Sequence, residues 1–261
     1  MQFRSRKALL ASLFALSALV LTGCKNGSVY GFESDISSVN ETSWHLWRGA
    51  WLAAGVVGIF TAILILWPVL RHRRKEGDPQ YPKQTQYNVP VEVAYTIIPF
   101  IIVAVLFYFT ARDENKIIAK EPSKVMHTID VNGIQWSWQF IYKDAGDFPA
   151  ATITGTPAQP PTLYLPQGEK VKFTINSNDV VHGFWIPAFM IQIQNLPGVE
   201  NHLEFSANKL GTYPGRCNIL CGRNHSQMLF TVKVVTPAEY QTYLDSLKAL
   251  NQLELDKAAN A

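Results

Sequence analysis

Two long apolar runs dominate the hydrophobic pattern in the first half of the chain. The first extends from residue 49 to residue 70, and the second from about residue 91 to residue 110. Each is close to the length needed to cross a bilayer, and both nearly lack the polar residues at helical spacing that an amphipathic core helix would show. The pattern therefore predicts a hairpin of two transmembrane helices.

The pattern changes between residues 122 and 235, where short apolar or alternating runs are separated by Gly, Pro and Asn. Such runs are typical of β-strands. The predicted strands cover residues 124–131, 162–165, 170–176, 180–186, 202–205 and 228–235. They favour an all-β Greek-key sandwich, whose loops at one end can carry a functional site.

A C-terminal helix is predicted after the last strand. Thr236 and Glu239 have the spacing of a capping box, and Pro237 occupies the first helical position. An apolar stripe at helical spacing comes next and indicates a helix that packs on the sandwich without chemistry of its own: Tyr240, Tyr243, Leu244, Leu247 and Leu250.

Charged residues predict the orientation of the hairpin. A basic run from Arg71 to Lys75 directly follows the first apolar run, and the positive-inside rule places such a short loop in the cytoplasm. Residues 1–23 combine a basic start with a short apolar core, as in a bacterial lipoprotein export signal that is cleaved to leave Cys24 acylated. The alternative is an uncleaved anchor. Either interpretation places residues beyond about 115 on the outer face of a bacterial plasma membrane.

The predicted organisation has five parts. They are an export signal at 1–23, an exposed linker at 24–46, the transmembrane hairpin at 47–115, the β-domain at 122–235 and the C-terminal helix and tail at 236–261. A net charge of +3 is too small to indicate a nucleic-acid-binding protein. The three cysteines form no C-x-x-C-H pattern, so we expect no haem in this chain.

One loop concentrates soft metal ligands, because Cys217, Cys221, His225 and Met228 lie within twelve residues. A single blue-copper site takes one thiolate and two imidazoles, so the loop has one thiolate too many and one imidazole too few. Two thiolates can bridge two metals, which predicts a binuclear copper centre with His182 as the missing imidazole. A disulfide is the alternative outside the cytoplasm, but it would not require His225 and Met228 at ligand spacing. The other histidines are expected to be structural: His45, His72, His127 and His202.

The C-x3-C-x3-H-x2-M loop and the preceding D-V-x-H segment closely resemble the copper domain of subunit II of the haem-copper respiratory oxidases. The resemblance extends from about Trp44 to Val235 and implies a cupredoxin-like fold. It also implies two copper ions bridged by both thiolates. His182 and Met228 would complete one copper, and His225 and the main-chain carbonyl of Ile219 would complete the other.

The same resemblance implies the function. Subunit II accepts electrons from a c-type cytochrome and passes them to haem in subunit I, where oxygen is reduced to water and protons are translocated. The chain would thus be an enzyme only as part of a complex with subunit I and other oxidase subunits. Two other classes stay open: a quinol-oxidase subunit II, which should lack the copper ligands, and a membrane-anchored copper carrier or assembly protein, which needs an exposed, labile site.

Two further residues receive roles from the resemblance. Trp136 matches the first tryptophan of the family's aromatic segment, which is thought to receive the electron from the cytochrome, whereas Trp138 is expected in the core. Glu92 lies where the second apolar run begins, at the offset from Pro99 that marks the mouth of a proton channel into subunit I. The alternative for Glu92 is an interfacial carboxylate that reaches into water.

The chain departs from the family at the boundary with subunit I. Relatives usually carry a glutamate between the two cysteines, and its carboxylate reaches a magnesium or manganese ion. Here Ile219 occupies that position, and Gln192 and Gln194 stand where many relatives have a lysine and an aspartate. An isoleucine side chain cannot bind a hard cation. We therefore expect no contribution of side chains from this chain to such an ion.

Overall fold

The structure is a computed structural model that describes residues 31–81, 84–120, 124–145 and 151–259 of the 261-residue chain. It begins with two long helices, α1 (Asn40–Arg71) and α2 (Val89–Ile117). Both are long and apolar enough to cross a membrane, and no residue of their apolar windows is buried within the chain. The predicted helical hairpin is confirmed. The proposed export signal and Cys24 lie outside the described residues.

Both helices are longer than the apolar runs that predicted them. α1 begins at residue 40 rather than 49, and α2 continues to residue 117, through the charged residues that follow the second apolar run. Asp113 is buried there and contacts Arg112 at 2.7 Å and Lys116 at 3.8 Å. Because these charges pair along the helix, the last turns remain helical after the apolar run has ended.

Ten strands form a sandwich of two five-stranded sheets. The strands are β1 (His127–Ile134), β2 (Ser137–Tyr142), β3 (Thr152–Thr154), β4 (Thr162–Pro166), β5 (Lys170–Ser177), β6 (His182–Ile186), β7 (Ile191–Asn195), β8 (Asn201–Ser206), β9 (Gly211–Cys217) and β10 (Leu229–Val235). One sheet has the order β3-β2-β1-β5-β8 and the other the order β4-β10-β9-β6-β7. The predicted sandwich is confirmed, although β2, β3, β7 and β9 were not predicted as strands.

An aromatic core fills the space between the two sheets. Trp138 is fully buried, and its ring lies 5.6 Å from Phe184 and 5.3 Å from Phe230, with both contacts edge-on. Phe184 and Phe230 stack on each other at 5.0 Å. Aromatic pairs with this geometry stabilise a core beyond their buried area. The predicted core position of Trp138 is therefore confirmed.

The segment before α1 differs from the exposed linker that the sequence predicts. Ile36 and Val39 are buried in the core, and Asn40 is completely buried. The main chain of this segment bonds to the end of β8: Ser38 N donates to Ser206 O at 2.9 Å. Its Ser-rich and Asn-rich composition suggested a solvated linker, but here these polar groups satisfy hydrogen bonds at a sheet edge.

The C-terminal helix α3 (Pro237–Ala259) packs on the sandwich as predicted. The capping box forms, because Thr236 N donates to Glu239 Oε2 at 2.9 Å and Glu239 N donates to Thr236 Oγ1 at 3.3 Å. Tyr240, Leu244 and Leu247 are buried, whereas Leu250 at the end of the predicted stripe is exposed.

A charged cluster lies at the start of β1, beneath α3. His127 lies between two carboxylates, with Nδ1 2.6 Å from Asp144 and Nε2 2.7 Å from Glu169, and its ring packs edge-on against Tyr240 at 5.0 Å. Hydrogen bonding to Asp144, supported by Glu169, raises the pKa of His127 above its usual 6.5, although burial opposes the shift. His127 thus has a structural role as a bridge between two carboxylates, which favour its protonated form.

The raised pKa of His127 predicts how stability depends on pH. A group with a raised folded-state pKa stabilises fully below its unfolded pKa and loses that contribution as pH rises through the folded value. We therefore expect the melting temperature of the detergent-solubilised chain to fall by a few degrees as pH rises from about 6 to about 8.5. His127→Gln should reduce this slope, and the exposed His72→Gln should not change it. Equal slopes in wild type and His127→Gln would contradict the assignment.

Candidate metal centre

Three loops at one end of the sandwich converge on the predicted metal ligands. The largest joins β9 to β10 and contains a short 3-10 helix at His225–Gln227. Cys217 ends β9 directly opposite Phe184 of β6, and its main-chain nitrogen donates to Met228 O at 2.9 Å. Both ends of the loop are thereby fixed to regular strands. The other two loops join β5 to β6 and β1 to β2.

The sulfur atoms and nitrogens of the loop lie close together. Cys217 Sγ is 3.8 Å from Cys221 Sγ, and both cysteines are buried free thiols rather than a disulfide. Cys221 Sγ is also 3.7 Å from Met228 Sδ and 3.5 Å from His225 Nδ1. The Ile219 carbonyl oxygen lies 3.2 Å from Cys217 Sγ. The structure thus brings every predicted loop ligand to one pair of sulfurs.

His182 completes the cluster from the first residue of β6. It is fully buried, and its ligand nitrogen and the two cysteine sulfurs all lie within 4.8 Å of one another. Nε2 lies 2.7 Å from Asp179 Oδ1, whereas Nδ1 is buried without a hydrogen-bond partner among the described residues. Space for the ring comes from Gly133, where an added Cβ would lie 2.7 Å from the imidazole. A buried imidazole with one ring nitrogen unpartnered among the described residues and two sulfurs within 4.8 Å has what a metal ligand requires.

Electrostatics make the two thiols unequal. Burial opposes ionisation of Cys217, but His182 and the main-chain amide of Gly183 outweigh it and lower the pKa of Cys217 to about 6. Burial and the neighbouring charge of Cys217 raise the pKa of Cys221 to about 12. Cys217 therefore ionises more readily than Cys221, and a bound metal would displace the proton that remains on Cys221.

A carboxylate beside His182 supports its orientation. Burial would raise the pKa of Asp179, but bonds from His182 and from the main-chain amides of Val180 and Gln135 lower it. Conversely, burial opposes a charge on His182, but Cys217 and Asp179 outweigh burial and raise the pKa of that imidazole. The ionised Asp179 thus fixes which ring nitrogen of His182 faces the sulfurs.

These donors fit copper. Thiolate, thioether and imidazole are soft or borderline ligands that select copper, zinc or iron-sulfur chemistry over magnesium and calcium. Two sulfurs 3.8 Å apart with different nitrogen, sulfur and oxygen donors around them offer a bridged site rather than a single tetrahedral one. His182, Cys217 and Cys221 are the group that could hold a metal ion within the described ranges.

Trp136 lies directly on the loop. Its indole Nε1 donates to Cys221 O at 3.2 Å, and Gln135 Nε2 donates to the same oxygen at 2.8 Å. The loop approaches so closely because Gly222 has φ +121°, and an added Cβ there would lie 3.0 Å from the indole nitrogen. The half-buried indole is therefore in hydrogen-bond contact with a cysteine of the cluster.

Glu92 is not part of this cluster. It lies in the first turn of α2, where its carboxylate accepts a hydrogen bond from Asn88 N at 3.1 Å. Asn88 Oδ1 in turn accepts from Val91 N at 3.4 Å. Glu92 therefore has a local role in capping the helix, in addition to the proton-channel role that the resemblance implies.

The outer side of the loop is neutral. Gln192, Gln194, Asn218 and Ile219 line a surface cavity of about 310 Å³, and the amides of Asn218 and Gln192 are hydrogen-bonded to each other. These four positions carry no carboxylate. Leu220 at the tip of the loop is 80% exposed.

Neither Asp179 nor Gln135 was assigned a role from the sequence. Asp179 contacts His182, and Gln135 contacts Cys221, so both hold residues of the cluster. The position of Asp179 three residues before His182 was the available signal. Nothing in the sequence indicated that Gln135 reaches a loop 86 residues away.

The chain is similar to known proteins over most of its length. Residues 127–235 match the family model described as cytochrome c oxidase subunit II, periplasmic domain. A probable cytochrome c oxidase subunit 2 of Streptomyces avermitilis is 38% identical, over 95% of this chain and 88% of that protein. Cytochrome c oxidase subunit 2 of Mycobacterium tuberculosis is 30% identical, over 95% of this chain and 86% of that protein. The crystal structure of the periplasmic domain of cytochrome oxidase subunit II of Bradyrhizobium japonicum is 28% identical, with a TM-score of 0.45. The match covers 51% of this chain and 97% of that one.

Proposed function

Because the chain belongs to the cytochrome c oxidase subunit II family, we propose that it is the electron-accepting subunit of a terminal respiratory oxidase. It would take electrons one at a time from a c-type cytochrome and deliver them to haem in subunit I. The observation that carries the proposal is the pair of buried thiols 3.8 Å apart, surrounded by His182, His225 and Met228.

The cluster residues would hold two copper ions. Both cysteines would bridge, His182 and Met228 would complete one ion, and His225 and the Ile219 carbonyl would complete the other. Bound copper would supply reversible one-electron redox chemistry. The work of the protein is to keep the donors buried and in fixed positions, so that little reorganisation accompanies electron transfer.

Burial of the ligands favours this function over copper delivery. A carrier needs a site from which metal leaves readily, yet Cys217, Cys221, Met228 and His182 are all buried, and Cys217 and His182 belong to strands β9 and β6. The presence of the whole ligand set also distinguishes the chain from a quinol-oxidase subunit, which is expected to lack it.

The apolar helices and the charge pattern support a membrane topology for the subunit. Both helices could cross a bilayer, and the basic residues after α1 favour a cytoplasmic loop. We propose that the β-domain therefore lies on the outer face. An acylated Cys24 would anchor the chain on that same side.

The bridging role predicts the effect of removing one sulfur. Cys217→Ser or Cys221→Ser should abolish the binuclear centre, because a hydroxyl is a poor bridge between soft metals. Electron paramagnetic resonance of the copper-loaded oxidase would show the loss of a signal from one electron shared by two copper nuclei. Leu220→Ala, in the same loop but exposed, should preserve that signal. A delocalised two-copper spectrum in either serine variant would refute the assignment.

The proton role of Glu92 can be separated from its capping role. Glu92→Gln keeps an oxygen acceptor for Asn88 N but cannot exchange a proton. We expect several-fold slower turnover and impaired proton uptake in the oxidase, with an unchanged copper spectrum. Glu114→Gln at the other end of α2 is the matched control and should leave turnover unchanged. If Glu92→Gln kept wild-type turnover and proton pumping, helix capping would be the remaining role of Glu92.

The neutral outer side of the loop predicts that this subunit binds no boundary cation through side chains. Hard cations such as manganese demand oxygen ligands, which Ile219 cannot supply. After manganese substitution of the whole oxidase, Gln192→Leu should not alter the resonance of any bound manganese. Ile219→Glu should increase manganese affinity. Tight stoichiometric manganese that Gln192→Leu weakens would contradict this prediction.

A further inference from the structure

We infer that Gln135 is a positioning residue for electron transfer, which holds the indole of Trp136 against the Cys221 end of the copper loop. The inference rests on the proposed function and adds a residue to it. It starts from the carbonyl oxygen of Cys221, which accepts two hydrogen bonds from adjacent residues, at 2.8 Å from Gln135 Nε2 and at 3.2 Å from Trp136 Nε1. A carbonyl oxygen has two lone pairs, so both bonds form together.

The two bonds are unequal in a way that favours Gln135 as the main restraint. At 2.8 Å the amide bond has an ideal length, whereas the indole bond at 3.2 Å lies at the long end of the normal range. Trp136 is half-buried and Gln135 is exposed, so neither side chain is held by packing alone and the hydrogen bonds to the Cys221 carbonyl must position both. Without the amide, one long hydrogen bond would hold the carbonyl to the ring.

The main chain of Gln135 is fixed from the other side of the site. Gln135 N donates to Asp179 Oδ2 at 2.6 Å, and Asp179 Oδ1 lies 2.7 Å from His182 Nε2. Gln135 therefore connects a histidine of the cluster, through Asp179, to a cysteine of the cluster, through its own side chain. Gln135, which directly precedes Trp136, is thereby held on the His182 side of the cluster and on the Cys221 side.

Gly222 shows that this contact is built for close approach. With φ +121°, it allows the loop to pass over both donors, and an added Cβ would lie 3.0 Å from Trp136 Nε1 and 3.1 Å from Gln135 Nε2. Any side chain at residue 222 would push the two donors away from the carbonyl. The loop backbone and the Gln135–Trp136 pair thus fit each other at contact distance.

The test replaces the amide of Gln135 with a side chain of similar length. Gln135→Met in the complete oxidase should retain full copper content but accept electrons from a reduced c-type cytochrome roughly fivefold more slowly, the factor that corresponds to one hydrogen bond. The reduction potential of the centre should fall, because an N–H dipole that favours added negative charge is lost. Gln135→Asn keeps the amide on a shorter side chain and should lie between wild type and Gln135→Met.

A matched control exists in the same segment. Gln139 on β2 bonds to Thr154 Oγ1 at 2.9 Å and to Asn132 at 3.0 Å, away from the loop. Gln139→Met removes a comparable amide and should change neither the electron-transfer rate nor the potential. A general effect of losing a glutamine from this segment would appear in both variants.

A double-variant cycle shows whether Gln135 acts through the indole. If it does, adding Gln135→Met to Trp136→Ala should slow electron transfer little beyond Trp136→Ala alone. The inference would be overturned if the rate losses of the two single variants multiplied in the double variant. It would also be overturned if Gln135→Met kept the wild-type rate and potential, or if that variant lost copper. The proposed function fails separately, if the wild-type oxidase lacks the two-copper signal or if Trp136→Ala accepts electrons at the normal rate.

Discussion

The structure depends on holding two thiols side by side in a buried pocket. Ionisation of Cys217 is favoured by its neighbours, and the resulting negative charge suppresses ionisation of Cys221. Two adjacent thiolates away from water would repel each other strongly unless cations lie between them. A metal ion bound between the sulfurs would relieve that repulsion, so metal binding and proton release from Cys221 would be coupled.

The sandwich meets this demand by attaching the ligands to strands that the aromatic core fixes. Cys217 ends β9, His182 begins β6 and Met228 immediately precedes β10, and these strands are neighbours in one sheet. Trp138 from the opposite sheet packs against Phe184 and Phe230, so the two layers are locked just behind the ligands. Close-packed interiors deform little, so the strand ends that carry Cys217, His182 and Met228 are held in place.

Sequence reasoning succeeded where the signal was local. Spacing within twelve residues was enough to select loop side chains that the structure places close together, and continuous apolarity was enough to find both helices. It failed on β9, whose sequence Gly-Thr-Tyr-Pro-Gly-Arg-Cys resembles a turn, because pairing with β6 and β10 makes it a strand. It also missed the bond of Gln135 to Asp179, 44 residues away, and the buried segment before α1. Both depend on contacts that only the folded chain creates.

The buried segment before α1 helps to position the helices relative to the candidate metal centre. Asn40, the first residue of α1, donates through Nδ2 to Ala188 O at 3.3 Å, in the short turn that follows β6. β6 is only five residues long and carries His182 at its other end, so one strand of roughly 17 Å connects the start of the helical hairpin to a predicted copper ligand. A strand hydrogen-bonded on both sides cannot change length. The distance between the start of the hairpin and His182 is therefore fixed by regular structure rather than by a linker.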